Sequence, residues 1–267
     1  MNYQMLVLDI DGTLTTSEKK ISPATQEALL KLQKDGIYVV LASGRPTAGI
    51  LPYARELKLH EFGNYILSYN GARILNLKTN EIIYDKTLPA SVIPLLYEEA
   101  ISSDTGLISY EGDGAIAATP IDKYMEYEAR INRIPIREVP DFPSYVTFPV
   151  NKCLMTGEPE HLVAVEARLK KRFHGLLNIY RSEPYFLEIM PQNIDKAASL
   201  QKLLGSLGLT QDQMICCGDG YNDVSMIEFA GVGVAMANAQ DVVKDAADFI
   251  TGSNNEDGIV AVIEKYF

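Results

Sequence analysis

The sequence is short of cysteine and of positive charge, and it contains no long apolar run. Three cysteines among 267 residues do not frame a disulfide scaffold. Two of them, Cys216 and Cys217, are neighbours in an apolar stretch and read as small core residues, so a reducing cytoplasm is the expected compartment. Lysine and arginine number 24 against 35 acidic residues, a formal net charge of −11. That balance argues against nucleic acid or an anionic membrane as the main partner. An anionic ligand then needs a local cation, either a metal or placed Lys and Arg. No apolar run reaches transmembrane length, and Met1-Asn2-Tyr3-Gln4 lacks the basic and apolar regions of a signal peptide. Neither an internal repeat nor a low-complexity segment is present. What remains is ordinary globular material, 47% hydrophobic, long enough for one large or two medium domains.

The chain is organised around its first apolar run, Met5-Leu6-Val7-Leu8, and the residues after it, Asp9-Ile10-Asp11-Gly12-Thr13. The run reads as a short buried strand. Alternation along a strand puts Asp9 and Asp11 on one side and Ile10 on the other. Gly12 lets the backbone turn sharply and approach a ligand closely. Asp-Gly is also a common turn pair, but two acids at a buried strand end are costly unless paired or bound to a cation.

Three later stretches share this grammar of a strand end followed by a polar turn. Ile37-Tyr38-Val39-Val40-Leu41 is a doubly covered strand that ends at Ala42-Ser43-Gly44-Arg45-Pro46. Ser43 and Gly44 there can offer a hydroxyl and backbone N–H groups to a phosphate, or simply cap a helix over residues 45–57. Ile194-Asp195-Lys196-Ala197 opens a helix running to Leu207. A lysine at a helix start is unfavourable against the macrodipole, a penalty that a bound phosphate removes; an exposed lysine is the alternative. Met214-Ile215-Cys216-Cys217 ends on Gly218-Asp219-Gly220-Tyr221-Asn222-Asp223. Carboxylates at the ends of two strands can meet around one hard cation such as Mg²⁺, although the cluster could also be a capped helix start. Asn70-Gly71 reads as a tight turn before a hairpin over residues 72–75 and 82–84, with Asn70 reaching the site as the lesser alternative. Further strands are expected at 231–236 and 249–250, with a helix starting at Asn238.

These four stretches, in this order, resemble the motifs of the haloacid dehalogenase superfamily of phosphoryl-transfer enzymes, and Gly44-Arg45-Pro46 resembles its Cof-type branch. One departure is Ala197, where the family usually has Gly. The resemblance implies a doubly wound parallel α/β core with an inserted α+β cap of the C2 type: core over residues 1–85, cap over 86–185, core again over 186–267. It implies Asp9 as nucleophile and Asp11 as general acid and base. Ile10, Gly12, Ser43, Gly44, Lys196 and Asn222 would hold the phosphoryl oxygens, and Asp9, Asp11, Asp219 and Asp223 would bind Mg²⁺. The physical need is plain, since phosphate monoesters hydrolyse extremely slowly unaided. A carboxylate nucleophile divides the reaction into two easier steps, and a second acid moves the proton.

Within the insertion the expected elements are a helix over 92–102, strands near 107–110 and 115–119, an amphipathic helix over 159–173, and a strand pair at 178–181 and 186–190. Tyr110, Glu111, Tyr124 and Tyr185 are its candidate substrate-facing residues, though each also suits packing or surface. The family's cap closes over its substrate and excludes water. The expected protein is a monomer or small homo-oligomer acting on a small phosphate ester, foremost a sugar phosphate. A phosphotransferase or phosphomutase, and a non-catalytic sugar-phosphate binding protein, are the alternative readings.

Overall fold

In the computed structural model, which describes residues 3–267, the Met5–Leu8 strand lies at the centre of an eight-stranded sheet. The order is Phe249–Ile250, Val232–Ala235, Met214–Gly218, Met5–Leu8, Tyr38–Ala42, Tyr65–Ser68, Arg73–Asn76 and Ile82–Asp85. The first six pair in parallel, and Tyr65–Ser68 with Arg73–Asn76 is antiparallel. The chain winds one way from the central strand to Tyr38–Ala42 and Tyr65–Ser68, then the other way through Met214–Gly218 and Val232–Ala235. The winding therefore reverses between Met5–Leu8 and Met214–Gly218, the place where open α/β sheets bind ligands.

Alternation sorts the central strand's side chains into two cores. Leu6, Leu8 and Ile10 pack with Leu29 of the Pro23–Lys34 helix and Ile259 and Val262 of the Gly258–Tyr266 helix. Met5 and Val7 pack on the other face with Leu200, Leu203 and Leu204 of the Lys196–Leu207 helix. That helix starts at Asp195, whose side chain accepts from the Ala198 N–H, and stops at Gly208 in the left-handed region. Asp9 continues the Met5–Val7 face, so the helix covering that face brings its first residue, Lys196, to the strand end.

Contacts divide the chain into two compact units, one ending at Tyr84 and resuming at Asp195, the other Asp85–Ile194. The second unit has its own six-stranded sheet, in the order Leu177–Glu183, Phe186–Pro191, Cys153–Thr156, Gly106–Glu111, Gly114–Ala117 and Ile136–Glu138. One face carries an apolar core with Leu96, Phe142, Leu162 and Val165. The other carries the Lys123–Asn132 helix, of which Met125, Glu128 and Ala129 are buried.

Two boundaries differ from those read in the sequence. The insertion continues to Ile194 rather than 185, because Phe186–Pro191 pairs with both Leu177–Glu183 and Cys153–Thr156 inside the second sheet. The helix expected from Asn238 is Asp241–Ala246, because Asn238 is engaged elsewhere. Among the described residues no helix is long and apolar enough to cross a membrane.

Candidate active site

The site lies within the first unit, at the carboxyl end of its parallel strands. Asp9, 6% exposed, follows the central strand, with its N–H on the Cys217 carbonyl at 3.0 Å. Lys196, 1% exposed, places all three ammonium protons on protein acceptors: Asp9 Oδ1 at 2.6 Å, the Ala42 carbonyl at 2.7 Å and Asp223 Oδ1 at 2.5 Å. Asp223 Oδ2 accepts from the N–H groups of Asp219 and Gly220, both at 2.9 Å. Asp219 Oδ1 accepts from the Thr13 hydroxyl at 2.8 Å. Carboxylate oxygens of Asp9, Asp219 and Asp223 lie within 4.8 Å of one another.

Three acids share one lysine, and the ionisation of the site reflects it. Burial, then the Asp223 charge, push the Asp9 carboxyl well above the ordinary aspartate range, and Lys196 only partly opposes them. Burial also raises Asp219, to about 6, with Asp223 adding to it against the Thr13 hydrogen bond. Lys196 is stabilised as the cation: burial opposes its charge, but Asp223 and Asp9 more than compensate. Close, buried, oxygen-only donors with unbalanced negative charge suit a hard divalent cation. On donor chemistry, the site fits Mg²⁺.

Gly12 fixes how near the first turn comes to this cluster. Its φ is +85°, and a Cβ there would lie 2.2 Å from Asp219 Oδ2, so glycine is required on both counts. The Gly12 carbonyl accepts from Asn238 Nδ2 at 2.8 Å, while Asn238 Oδ1 takes the Asn254 N–H. Asn254 Nδ2 holds the Thr15 carbonyl, and Asn255 brackets Ser17 with two hydrogen bonds. Three asparagines, which motif reading did not single out, thus clamp the turn after Asp9.

Ser43 is buried at the end of the Tyr38–Ala42 strand, and its hydroxyl accepts from the Arg45 N–H at 3.3 Å. Gly44 lies against the Asn70 amide, whose Oδ1 would be 3.1 Å from a Cβ at position 44. Asn70 also accepts from Asn222 Nδ2 at 3.1 Å. The turn expected at Asn70 is there, with φ of +53°, and its side chain additionally joins Ser43-Gly44 to Asn222. Ile10 is different: its side chain is fully buried in the core and its carbonyl accepts from the Thr15 N–H and hydroxyl. Only its peptide N–H is left to serve a phosphate.

Asp11 stands apart from the three acids. Arg45 Nε and Nη2 hold its two oxygens at 2.7 and 2.8 Å, and Lys19 Nζ adds a contact at 2.7 Å. Burial alone would raise the Asp11 carboxyl, but Arg45 and then Lys19 outweigh it and bring it down to about 2. Arg45 appeared in the sequence only as part of a branch signature, and Lys19 not at all. A cation directly after the Ser43-Gly44 turn was the available clue.

The insertion's four candidates occupy their own unit. Tyr110 is buried and donates to Glu128 at 2.6 Å. Glu111 pairs with Arg137 and Tyr145. Tyr124 stacks on Tyr185 with ring centroids 5.0 Å apart. Lys152 and Glu188 form a buried ion pair at 3.0 Å, with the Lys152 ammonium 5.2 Å from the Tyr110 ring centroid.

A doubly wound core with acids and a buried lysine at its switch point is the arrangement that the four sequence motifs lead one to expect. The family profile for haloacid dehalogenase-like hydrolases matches residues 6–263, and the chain belongs to that family. It is 33% identical to the Bacillus subtilis (strain 168) protein YxeH, with 98% of each chain aligned. It is 30% identical to YitU of the same organism, named a 5-amino-6-(5-phospho-D-ribitylamino)uracil phosphatase, over 98% of this chain and 97% of the relative. Among solved structures, a haloacid dehalogenase-like hydrolase from Bacteroides thetaiotaomicron superposes with TM-score 0.97 at 50% identity, covering 100% of both chains. The subclass IIB sugar phosphatase BT4131 superposes with TM-score 0.82 at 25% identity over 98% of each chain. The enzyme is a phosphatase of the Cof-type branch.

Proposed function

We propose that the enzyme hydrolyses small phosphorylated metabolites, sugar phosphates foremost, with Mg²⁺ and through an aspartyl-phosphate on Asp9. The observation that carries this reading is the Asp9–Lys196–Asp223 arrangement with Asp219 beside it, at the switch point of the sheet. The sugar phosphate preference rests on the likeness to a subclass IIB sugar phosphatase.

Asp9 Oδ1 is tethered by Lys196, which leaves Oδ2 as the oxygen to attack phosphorus in line. In the ligand-free enzyme Arg45 and Lys19 keep Asp11 ionised; to act, its carboxyl leaves them and takes up a proton, gives that proton to the leaving oxygen, and then takes one from the water that opens the aspartyl-phosphate. Lys196, the Ser43 hydroxyl, the N–H groups of the Gly12 and Gly44 turns, and the Asn222 amide stabilise charge on the phosphoryl oxygens. Asp9, Asp219 and the Asp11 carbonyl would hold Mg²⁺, which would supply positive charge against the phosphoryl oxygens. Asp223 has Oδ2 filled by two N–H groups and Oδ1 shared with Lys196. Its main task is to orient Lys196 and the Asp219 peptide, and it reaches the metal directly or through water.

The test is a screen of phosphate esters with Mg²⁺, with excess chelator, and with Ca²⁺. Turnover should be confined to the Mg²⁺ arm and greatest among sugar phosphates. Ca²⁺ should substitute poorly, because its longer bonds and higher ligand number disturb alignment. Full activity in chelator, with residual metal excluded by elemental analysis, would overturn the metal-dependent reading.

A further inference from the structure

The Asp11 carboxylate is gripped by two cations from two different turns. Arg45 presents a two-pronged fork, Nε to Oδ2 and Nη2 to Oδ1, and Lys19 adds a third hydrogen bond on Oδ1. The Arg45 side chain is 9% exposed, with its guanidinium 5.5 Å from the Tyr53 ring centroid. It is therefore a built feature of the site rather than a surface pair. It also lies directly after Ser43-Gly44, the turn to which phosphoryl oxygens are assigned above. Lys19 comes from a tight reversal in which the Thr16 N–H meets the Lys20 carbonyl and the Lys19 N–H meets the Thr16 carbonyl, both at 2.9 Å.

Two features make this grip transferable. A guanidinium fork matches two oxygens of a phosphoryl group as well as it matches a carboxylate. Arg45 and Lys19 also bring two positive charges to one carboxylate, and a phosphoryl dianion carries more charge to meet them than a carboxylate does. Asp11, for its part, has to leave the fork to serve a leaving oxygen.

We propose that Arg45 and Lys19 are phosphoryl-binding residues held by Asp11 until an ester arrives, and that the phosphoryl oxygens then take over the Arg45 fork and release Asp11. Asp11 acts as a place-holder for the phosphoryl group in the ligand-free enzyme. This inference rests on the phosphatase reading above and adds two residues to its phosphoryl grip.

The experiment is calorimetric titration of inorganic phosphate, in MgCl₂, into the wild type, Asp11→Asn, Arg45→Gln and the double variant, each confirmed as folded by circular dichroism. Asp11→Asn frees the fork and should bind phosphate about tenfold tighter than wild type, the scale of one charge-assisted hydrogen bond. Arg45→Gln should bind about tenfold weaker. In the double variant the gain from Asp11→Asn should vanish. Arg45→Lys keeps the charge without the fork and should fall between wild type and Arg45→Gln. Equal tightening by Asp11→Asn in both backgrounds would mean simple charge removal and would overturn the exchange, as would wild-type affinity in Arg45→Gln. Failure of the wild type and every variant to bind phosphate would instead defeat the phosphatase reading, and the exchange with it.

Discussion

Lys196→Met is the substitution whose cost the structure defines best. Methionine roughly keeps the volume but removes a buried charge with three hydrogen bonds, to Asp9, Asp223 and the Ala42 carbonyl. All three bonds are charge-assisted, because the donor is an ammonium, and such bonds contribute about 1.5–3 kcal/mol each. The desolvation of the lysine itself offsets part of this sum. What dominates the variant is that Asp9, Asp219 and Asp223 are left without a cation, and breaking a buried pair in this way costs about 3–5 kcal/mol. In chelator at neutral pH, the variant should therefore melt roughly 10 °C below wild type. Mg²⁺ should stabilise the variant more than the wild type, because it returns positive charge to the same oxygens. Activity should fall together for every ester, since each presents the same phosphoryl oxygens. The assay is paired thermal melts with and without Mg²⁺, plus kcat/KM over several sugar phosphates and one aryl phosphate. A variant that melts with wild type in chelator would refute the reasoning.

Gly12→Ala should lose most activity and about 1–2 kcal/mol of stability, because a left-handed alanine is strained and its Cβ displaces Asp219; wild-type turnover on the ester panel would contradict this. Lys152→Met should cost about 3–5 kcal/mol at neutral pH by leaving Glu188 buried and unpaired, measured by urea unfolding. Burial opposes the Lys152 charge, yet Glu188 and then Glu128 raise its pKa above the ordinary lysine value. Its contribution is thus whole below that value and is lost as pH rises past it, so the gap between wild type and variant should narrow above about pH 10. A gap that stays constant from pH 7 to 11 would be inconsistent with the pair.

The parts of the site legible in the sequence were those written locally. Asp9 follows an uninterrupted apolar strand, Lys196 follows a capping aspartate, and Asp219 and Asp223 follow a second apolar strand, so period and punctuation alone bring them to element ends. What joins elements distant in sequence was not legible. The Arg45 fork on Asp11 spans 34 positions, and the Asn238 and Asn254 clamp reaches back more than 200 to Gly12 and Thr15. Nothing in local propensity marks an asparagine as a clamp rather than a turn residue. Ile10 was readable as inward-facing from alternation, and the structure leaves only its peptide for a ligand. In the insertion, Phe186-Leu187-Glu188-Ile189-Met190 reads as a strand, but which sheet it joins depends on its partners at 153–156 and 177–183. The Lys123–Asn132 helix was missed because its stripe of Met125, Glu128, Ala129 and Asn132 buries two polar residues, which blurs its apolar period.

The central claim is that Asp9 is the nucleophile. Asp9→Asn preserves the shape of the side chain and an oxygen for Lys196, but removes the attacking charge and one of the oxygens proposed for Mg²⁺. The decisive measurement is phosphate release by folded, Mg²⁺-saturated Asp9→Asn over the same ester panel. No detectable turnover on any ester, with a circular dichroism spectrum matching wild type, is the predicted result; near-wild-type turnover would contradict the account.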